Sequence, residues 1–160
     1  MRQVLHAAID VAAHKVRIVD FELARVESVP RQNAVDAILA VERLHDKVGP
    51  HLLISEIRTI AGDDLWMSPC YKQASVSIHF TWKQDWPAVK TLLPLIEREL
   101  NPFHVRPHWG KLFTISPADI HAGYERLPEF VETCRQYDPH GKFRNEFLNR
   151  NIFGSKMGSA

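Results

Sequence analysis

Two short segments contain the side chains best suited to chemistry. Residues 106–111 (Arg-Pro-His-Trp-Gly-Lys) group a guanidinium, an imidazole, an indole and an ammonium around a proline and a glycine, which disfavour regular structure. About fifty residues earlier, Glu56 and Arg58 place opposite charges two positions apart in an apolar run. We expect the two segments to form the substrate side of an active site whose other half lies outside this chain.

Glu56 and Arg58 have two interpretations. On a strand, alternate side chains lie about 7 Å apart on the same face, which the pair would share with Leu52, Ile54 and Ile60. The pair could be an exposed salt bridge that contributes at most about 1 kcal/mol to stability. It could also bind substrate hydroxyls, because a carboxylate accepts hydrogen bonds and a guanidinium donates them in a fixed geometry.

His79 and Thr81 extend this polar surface onto a second predicted strand. Residues 75–82 alternate strictly between polar and apolar side chains, which predicts a half-buried strand with both residues on its polar face. If this strand pairs with the one that carries Glu56 and Arg58, all four side chains share one surface. A single strand histidine is more often structural than catalytic, but four such groups favour a binding site.

Neither a metal site nor a nucleotide site is predicted. His104 and His108 lie four positions apart, but Pro107 prevents the helical turn that would align them as ligands. No glycine-rich phosphate loop follows a predicted strand. With a net charge of +1, the chain has no electrostatic reason to bind nucleic acid or anionic lipid.

The predicted elements give an α+β fold. The strands are expected at 21–29, 52–60 and 75–82, with a short extended segment at 103–106, and the helices at 33–48, 85–100 and 127–137. Pro94 is expected to kink or interrupt the second helix. The order β-α-β, β-α-β is that of the ferredoxin-like split βαβ fold, an antiparallel sheet with helices on one face. A helical C-terminal segment follows, and the other face of the sheet is open for a site.

Length and composition indicate one domain in a chain of 160 residues, 45% of them hydrophobic. We expect the domain at 21–153, preceded by an uncertain segment at 1–20 and followed by a disordered tail at 154–160. No apolar run approaches the roughly 20 residues that span a bilayer. The two cysteines are isolated. A cytoplasmic protein is therefore expected.

Several of these segments resemble a known family. Residues 53–61, 63–69 and 77–82 resemble the C-terminal part of alditol (xylitol) oxidases. Residues 106–111 and 137–145 are similar to motifs of the wider sugar-1,4-lactone oxidase group, which are flavoproteins of the vanillyl-alcohol oxidase type. The motifs are weak singly and specific as a set.

The resemblance implies an FAD-dependent enzyme that oxidises the terminal hydroxyl of a sugar alcohol, such as xylitol or sorbitol, with oxygen to give an aldose and hydrogen peroxide. Glu56 and Arg58 match groups that hold the polyol hydroxyls, and Thr81 matches a secondary substrate contact. His79 matches a general base for the hydroxyl proton. Lys111 matches a catalytic cation close to both the substrate and the flavin.

The cofactor side of the resemblance is incomplete. His108 and Lys111 match residues close to the flavin, but the FAD-binding domain that precedes this segment in the family is not recognisable here. We therefore expect a truncated chain, the substrate (cap) domain, which is inactive alone. Its partners would be a small polyol and the missing FAD-binding domain, and the exposed docking surface could support self-association.

Two other classes of function are considered. The same Glu56, Arg58 and Lys111 would serve a stand-alone polyol-binding module without oxidase activity. A ferredoxin-like nucleic-acid-binding domain would need exposed basic and aromatic residues on the open face of the sheet. The predicted face instead carries a carboxylate, hydroxyls and an imidazole, which disfavours that class.

Overall fold

The computed structural model describes residues 6–10, 15–19 and 23–154. The strands in these ranges are β1 (His6–Asp10), β2 (Lys15–Val19), β3 (Ala24–Pro30), β4 (Leu52–Ile60), β5 (Ser75–Trp82) and β6 (Arg106–Pro107). The helices are α1 (Ala34–Glu42), α2 (His45–Val48), α3 (Trp86–Leu100), α4 (Pro117–Gly123), α5 (Leu127–Tyr137) and α6 (Glu146–Asn151). β1 and β2 pair as an antiparallel two-stranded sheet.

The larger sheet has the strand order β4-β5-β3-β6, and its neighbouring strands are antiparallel. β5 lies between β3 and β4, which are connected through α1 and α2. β3 in turn lies between β5 and β6, which are connected through α3. Each β-α-β crossover is therefore split by one strand, which confirms the predicted α+β fold with its split βαβ arrangement.

Helices α1 and α3 cover one face of this sheet. α3 begins where Oδ1 of Asp85 accepts a hydrogen bond from the backbone N–H of Ala88 at 3.3 Å, a favourable N-cap. The apolar stripe of α3 packs against the inward side chains of β5. The buried residues that these two elements contribute to the core are Ile78, Phe80, Trp82, Val89, Leu92, Leu93, Ile96 and Leu100. The opposite face of the sheet remains available for polar side chains.

Pro94 does not interrupt α3, which continues to Leu100. A proline in a helix removes one N–H donor and leaves the carbonyl four residues earlier, here that of Lys90, without its partner. Both residues are exposed, so water can bind that carbonyl. Of the two predicted effects, a kink or an interruption, the interruption does not occur, because the proline lies on the solvent side of the helix.

The helix predicted at 33–48 is divided into two. α1 ends at Glu42 and α2 begins at His45, with a 3-10 turn before α1. At the break, the backbone N–H of Leu44 donates to the carbonyl of Val41, three residues back, at 2.9 Å. This tighter turn brings the Leu44 side chain into the core.

The extended segment predicted at 103–106 is present only at its end. Asn101–Phe103 forms a 3-10 turn, and His104 has a left-handed backbone with φ of 55°. Strand geometry is limited to Arg106–Pro107, where it pairs with β3.

The C-terminal helices pack around a second apolar cluster, and α5 confirms the helix predicted at 127–137. Its buried members are Ile120, Tyr124, Leu127 and Ile152. Phe21 and Glu22 of the first predicted strand, and residues 155–160 of the predicted tail, lie outside the described residues. Within the described part of the chain, no helix combines the length and apolar character needed to cross a membrane.

Candidate functional site

The residues predicted to bind substrate lie on the face of the sheet opposite α1 and α3, here called the open face. In the register of β4 with β5, Glu56 is opposite His79 and Arg58 is opposite Ser77. Residues opposite each other in an antiparallel pair share a face of the sheet, and so do alternate residues of one strand. Thr81, two residues after His79 on β5, therefore lies on the same face. The structure therefore brings Glu56, Arg58, His79 and Thr81 onto one face of the sheet, where Arg58 is exposed, Glu56 and His79 are partly buried and Thr81 is buried.

Hydrogen bonds join three of these side chains into a cluster. Nη2 of Arg58 donates to both carboxylate oxygens of Glu56 at 2.8 Å. Nδ1 of His79 lies 3.0 Å from Oε2 of Glu56. The hydrogen bond from Arg58, followed by the one from His79, lowers the pKa of Glu56 below its ordinary value. Because the ionised carboxylate can only accept, Nδ1 of His79 is the donor.

The second ring nitrogen of His79 is an unused hydrogen-bond acceptor. In the neutral imidazole, a proton on Nδ1 leaves Nε2 with a lone pair and no hydrogen. Nε2 is buried and has no hydrogen-bond partner among the described residues. The side chain as a whole is 15% exposed, so the ring lies just below the surface. A buried acceptor without a partner is unusual, and a substrate hydroxyl would satisfy it.

A β-bulge changes one expectation about this face. Simple alternation puts Leu52 on the same side as Glu56, but the register shifts between Leu52 and Ile54. Leu52 is consequently opposite Trp82 and packs against the core under the helices. Ile54 stays on the open face, where it is exposed.

Residues 108–112 continue along the outer side of β3, next to the cluster. The backbone N–H of His108 donates to the carbonyl of Val26 at 3.0 Å, and Val26 is opposite His79 in the sheet. His108 is therefore in the same cross-strand row as His79 and Glu56. A turn follows, in which the N–H of Lys111 donates to the carbonyl of His108 at 3.0 Å.

This edge of the open face carries an imidazole that is easily deprotonated, His108, and an ammonium group, Lys111. Although His108 reaches solvent, packing around the ring desolvates it and lowers its pKa, and the charges of Lys111 and His79 add to this effect. The N–H of Gly110 donates to Nδ1 of His108 at 3.1 Å, so the neutral ring carries its proton on Nε2. The Lys111 ammonium makes no hydrogen bond or ion pair within the described residues.

Trp109, between these two residues, has a structural role. Its indole N–H donates to the carbonyl of Met67 at 2.7 Å, and its ring centroid lies 4.8 Å from that of Tyr124. These contacts anchor the turn that carries His108 and Lys111 to the C-terminal apolar cluster.

The helix-covered face contains a charged cluster that sequence reasoning missed. Arg25 and Glu27 are fully buried and in ion-pair contact, and Nη1 of Arg25 also donates to Oε1 of Glu97 at 2.8 Å. Burial raises the pKa of Glu27 to about 7; Arg25 opposes this shift and Glu97 adds to it. The sequence did contain a sign of this burial. Arg25 and Glu27 alternate with their neighbours in step with Val29, so all three side chains lie on the same face of β3 as the core.

A cleft of about 920 Å³ lies beside this charged cluster, lined mainly by residues of α3, α4 and the segment around β6. Its charged or titratable lining residues are Glu97, Arg98, His104, Arg106, Asp119 and Tyr124. None of the predicted site residues lines it. The convergence of polar groups, rather than the presence of a cavity, therefore marks the open face as the candidate site.

Comparison with known proteins identifies relatives of the chain. A family model described as D-arabinono-1,4-lactone oxidase matches residues 11–151. The alditol oxidase of Streptomyces sp. (strain IKD472 / FERM P-14339) is 44% identical over 133 residues, which cover 83% of this chain and 32% of that protein. The L-gulonolactone oxidase of Mus musculus is 28% identical over 133 residues, covering 79% and 30%. The chain thus spans about a third of the length of these relatives.

Proposed function

The chain belongs to the D-arabinono-1,4-lactone oxidase family, and from that premise we propose that it is the substrate-binding part of an FAD-dependent oxidase. The proposed reaction converts the terminal hydroxyl of a sugar alcohol, such as xylitol or sorbitol, to the aldehyde of an aldose, with hydrogen peroxide formed from oxygen. The observation that carries the proposal is the hydrogen-bonded cluster of Glu56, Arg58 and His79 on the open face. The higher identity to an alditol oxidase than to a gulonolactone oxidase favours a polyol over a lactone.

Glu56 and Arg58 are proposed to bind the hydroxyl groups. Arg58 uses one nitrogen for both contacts with Glu56, and a guanidinium has five N–H donors, so further donors remain for a ligand. Glu56 stays ionised because its partners lower its pKa, and each carboxylate oxygen can accept more than one hydrogen bond. Neighbouring hydroxyls of a polyol can therefore donate to Glu56 and accept from Arg58 at once, with Thr81 as a further contact.

His79 is proposed to take the proton of the reacting hydroxyl at Nε2. The hydrogen bond from Nδ1 to Glu56 fixes the tautomer that leaves Nε2 as the base. When the proton arrives, the ring becomes cationic and the adjacent carboxylate stabilises it, as in other histidine–carboxylate pairs. The site thus binds and deprotonates the substrate with groups of this chain alone.

Lys111 and His108 are the residues that suit a flavin. FAD, when bound, accepts the hydride from the substrate carbon and passes the electrons to oxygen. The unpaired Lys111 ammonium can stabilise negative charge on the flavin ring, and the neutral His108 offers an N–H donor beside it. The sequence contains no glycine-rich phosphate loop. We therefore propose that the nucleotide is held by the part of the relatives that the match does not cover.

Calorimetric titration with xylitol and sorbitol tests the substrate side of this proposal. We expect saturable binding by the native chain, weaker binding by Lys111→Met, and unchanged binding by Val35→Ala, which alters an exposed residue of α1. Equal affinities for native protein and Lys111→Met would remove Lys111 from the substrate site. No binding by the native chain would contradict the proposal.

A peroxide assay tests whether this chain alone can oxidise a polyol. With xylitol, oxygen and free FAD, we expect the chain to form no more peroxide than FAD alone, because the proposed nucleotide site is elsewhere. Peroxide above that background would assign the whole reaction to this chain. Polyol binding without turnover would also fit the second candidate function, a binding module without oxidase activity. That candidate is favoured by one observation: the hydrogen bonds of the cluster are all made within this chain.

A further inference from the structure

β4 is an edge strand of the four-stranded sheet. It lies at the end of the strand order and pairs with β5 alone among the described strands. Soluble proteins usually protect such edges with charged side chains, Pro, bulges or short strands, because unpaired N–H and C=O groups can pair with another strand. β4 runs for nine residues without Pro, its bulge lies at its start, and its two charged side chains, Glu56 and Arg58, are paired with each other.

Exposed apolar side chains follow this edge on both faces of the sheet. Ile54 and Ile60 lie on the open face and are 54% and 40% exposed. Ile57 lies on the other face, beyond the cover of the helices, and is 55% exposed. When such an edge pairs with another strand, apolar surface is buried on both faces, so pairing is stabilised more than at an edge with one polar, solvated face.

The charges of β4 are complementary to a second copy of β4 in antiparallel orientation. When Ile57 lies opposite Ile57 of the second copy, Glu56 falls opposite Arg58 of the second copy, and Arg58 falls opposite Glu56. Opposite charges directly across an antiparallel pair stabilise it. Moving the centre of the pairing to Glu56 or to Arg58 would place like charges opposite each other, so the charges select one register.

The uncharged residues match in the same register. Ser55 falls opposite Thr59 of the second copy, and Ile54 falls opposite Ile60. Hydroxyl pairs and pairs of β-branched apolar residues are both favourable across strands. A shift by one residue would instead place one charged side chain opposite Ile57 and the other opposite Ser55 or Thr59, depending on the direction of the shift. The uncharged residues therefore support the same register as the charges.

We propose that the protein associates with a second copy of itself through antiparallel pairing of β4 around Ile57. Two four-stranded sheets then become one continuous sheet, related by a two-fold axis perpendicular to it. The open faces of both copies lie on the same side of that sheet. Glu56 and Arg58 of the two copies form a row of alternating charge. The proposal is independent of polyol binding.

Sedimentation velocity over about a hundredfold range of protein concentration tests this association, because a dimer forms by mass action. The native chain of 18.4 kDa is expected to approach twice that mass as concentration rises. Arg58→Glu and Glu56→Arg each turn two opposite-charge pairs into two like-charge pairs, and each is expected to weaken the dimer by roughly tenfold or more. The double variant E56R/R58E restores complementarity and is expected to return to near-native association.

Val35→Lys is the matched control. Val35 is 69% exposed but lies on α1, so its replacement removes exposed apolar surface without touching β4. Weakening by Val35→Lys equal to that by Arg58→Glu would show non-specific association and overturn the proposal. A chain that remains monomeric, or a double variant that does not recover, would overturn it as well.

Amide hydrogen exchange of the native chain gives a second test that needs no variant. Protection of the amides in 53–60 is expected to increase with protein concentration, while that of amides in α5 stays constant. If exchange in β4 does not depend on concentration, the edge is not paired with a second copy, and the proposal is wrong.

Discussion

At the scale of single residues, the proposed polyol site depends on the environment of His79. Its Nδ1 donates to Glu56, whose charge is held by Arg58, and its Nε2 is buried without a partner among the described residues. An imidazole that already satisfied both nitrogens would be a structural residue. This one has a fixed tautomer and one unused acceptor, which is the arrangement that a general base needs before substrate binds.

Replacing Glu56 with Gln is predicted to weaken xylitol binding by roughly tenfold or more, because hydrogen bonds to a charged group are stronger than those to a neutral amide. The amide cannot hold Arg58 and His79 as the carboxylate does. Calorimetric titration measures the affinity. Thr59→Ala, an exposed change on the other face of β4, is the control and should bind as the native chain does. Equal affinities for the two variants would exclude Glu56 from the site.

Glu27 is predicted to make stability fall as pH rises from about 4.5 to about 7. Burial raises its pKa from 4.5 to about 7. In that window the folded protein holds a proton that the unfolded chain has lost, so folding is favoured at the acidic end, and the effect is complete above the folded pKa. Urea unfolding at several pH values measures this slope, which should amount to at most roughly 3 kcal/mol.

Glu27→Gln should flatten the slope, because the amide does not titrate. The remaining carboxylates are common to both proteins, so the difference between the two pH profiles isolates Glu27. Identical profiles for the native chain and Glu27→Gln would mean that Glu27 does not titrate between pH 4.5 and 7.

At the scale of elements, the sequence predicts best where the pattern is local. β4 and β5 begin and end where apolar alternation and flanking turn residues place them. The bulge at Leu52 and the break before Leu44 could not be predicted, because both depend on how a side chain fits a core built by distant elements. The partner of Arg25 is likewise distant, since Glu97 lies 72 residues later.

The candidate site, too, could be predicted only where the sequence pattern is local. The common face of Glu56 and His79 was predictable from strand parity and the pairing of consecutive strands. The position of Lys111 along the outer side of β3 was not predictable, because the turn at 108–111 is held by hydrogen bonds to β3 and Met67 that no periodicity encodes.

The N-cap of α3 is predicted to stabilise the fold. Asp85→Ala removes the side-chain acceptor for the N–H of Ala88 and should lower the free energy of unfolding by about 1 kcal/mol. Asp85→Asn keeps an acceptor and should retain most of the stability. Urea denaturation compares the three proteins. If Asn destabilises as much as Ala, the contribution comes from the nearby ion pair with His51 instead of from the cap.

Trp109→Phe is predicted to loosen the turn at 108–111. The variant keeps an aromatic ring next to Tyr124 but loses the hydrogen bond to Met67, worth about 1 kcal/mol. Amide exchange of Lys111 should become faster. Trp66→Phe is the control, since the Trp66 indole makes no hydrogen bond within the described residues. Equal exchange of Lys111 in both variants would show that the indole N–H does not hold the turn.

At the scale of the whole molecule, the sheet separates two environments. The face under α1 and α3 carries the core together with Arg25 and Glu27, and the open face carries the polar cluster, in which Arg58 is exposed and Thr81 is buried. The chain spans about a third of its relatives' length, yet the groups proposed to bind and deprotonate a polyol are all within it. Substrate binding is therefore predicted to be separable from oxidation.

An NMR titration of the histidine ring nitrogens with xylitol tests directly whether the polyol binds at His79. We predict a saturable change in the Nε2 signal of His79, because a substrate hydroxyl should hydrogen-bond to that nitrogen. The signals of His104, which lines the cleft beside α3 and is not part of the polar cluster, should not change. If the His79 signal stays constant at high xylitol concentration, or if both histidines respond alike, the open face is not the polyol site.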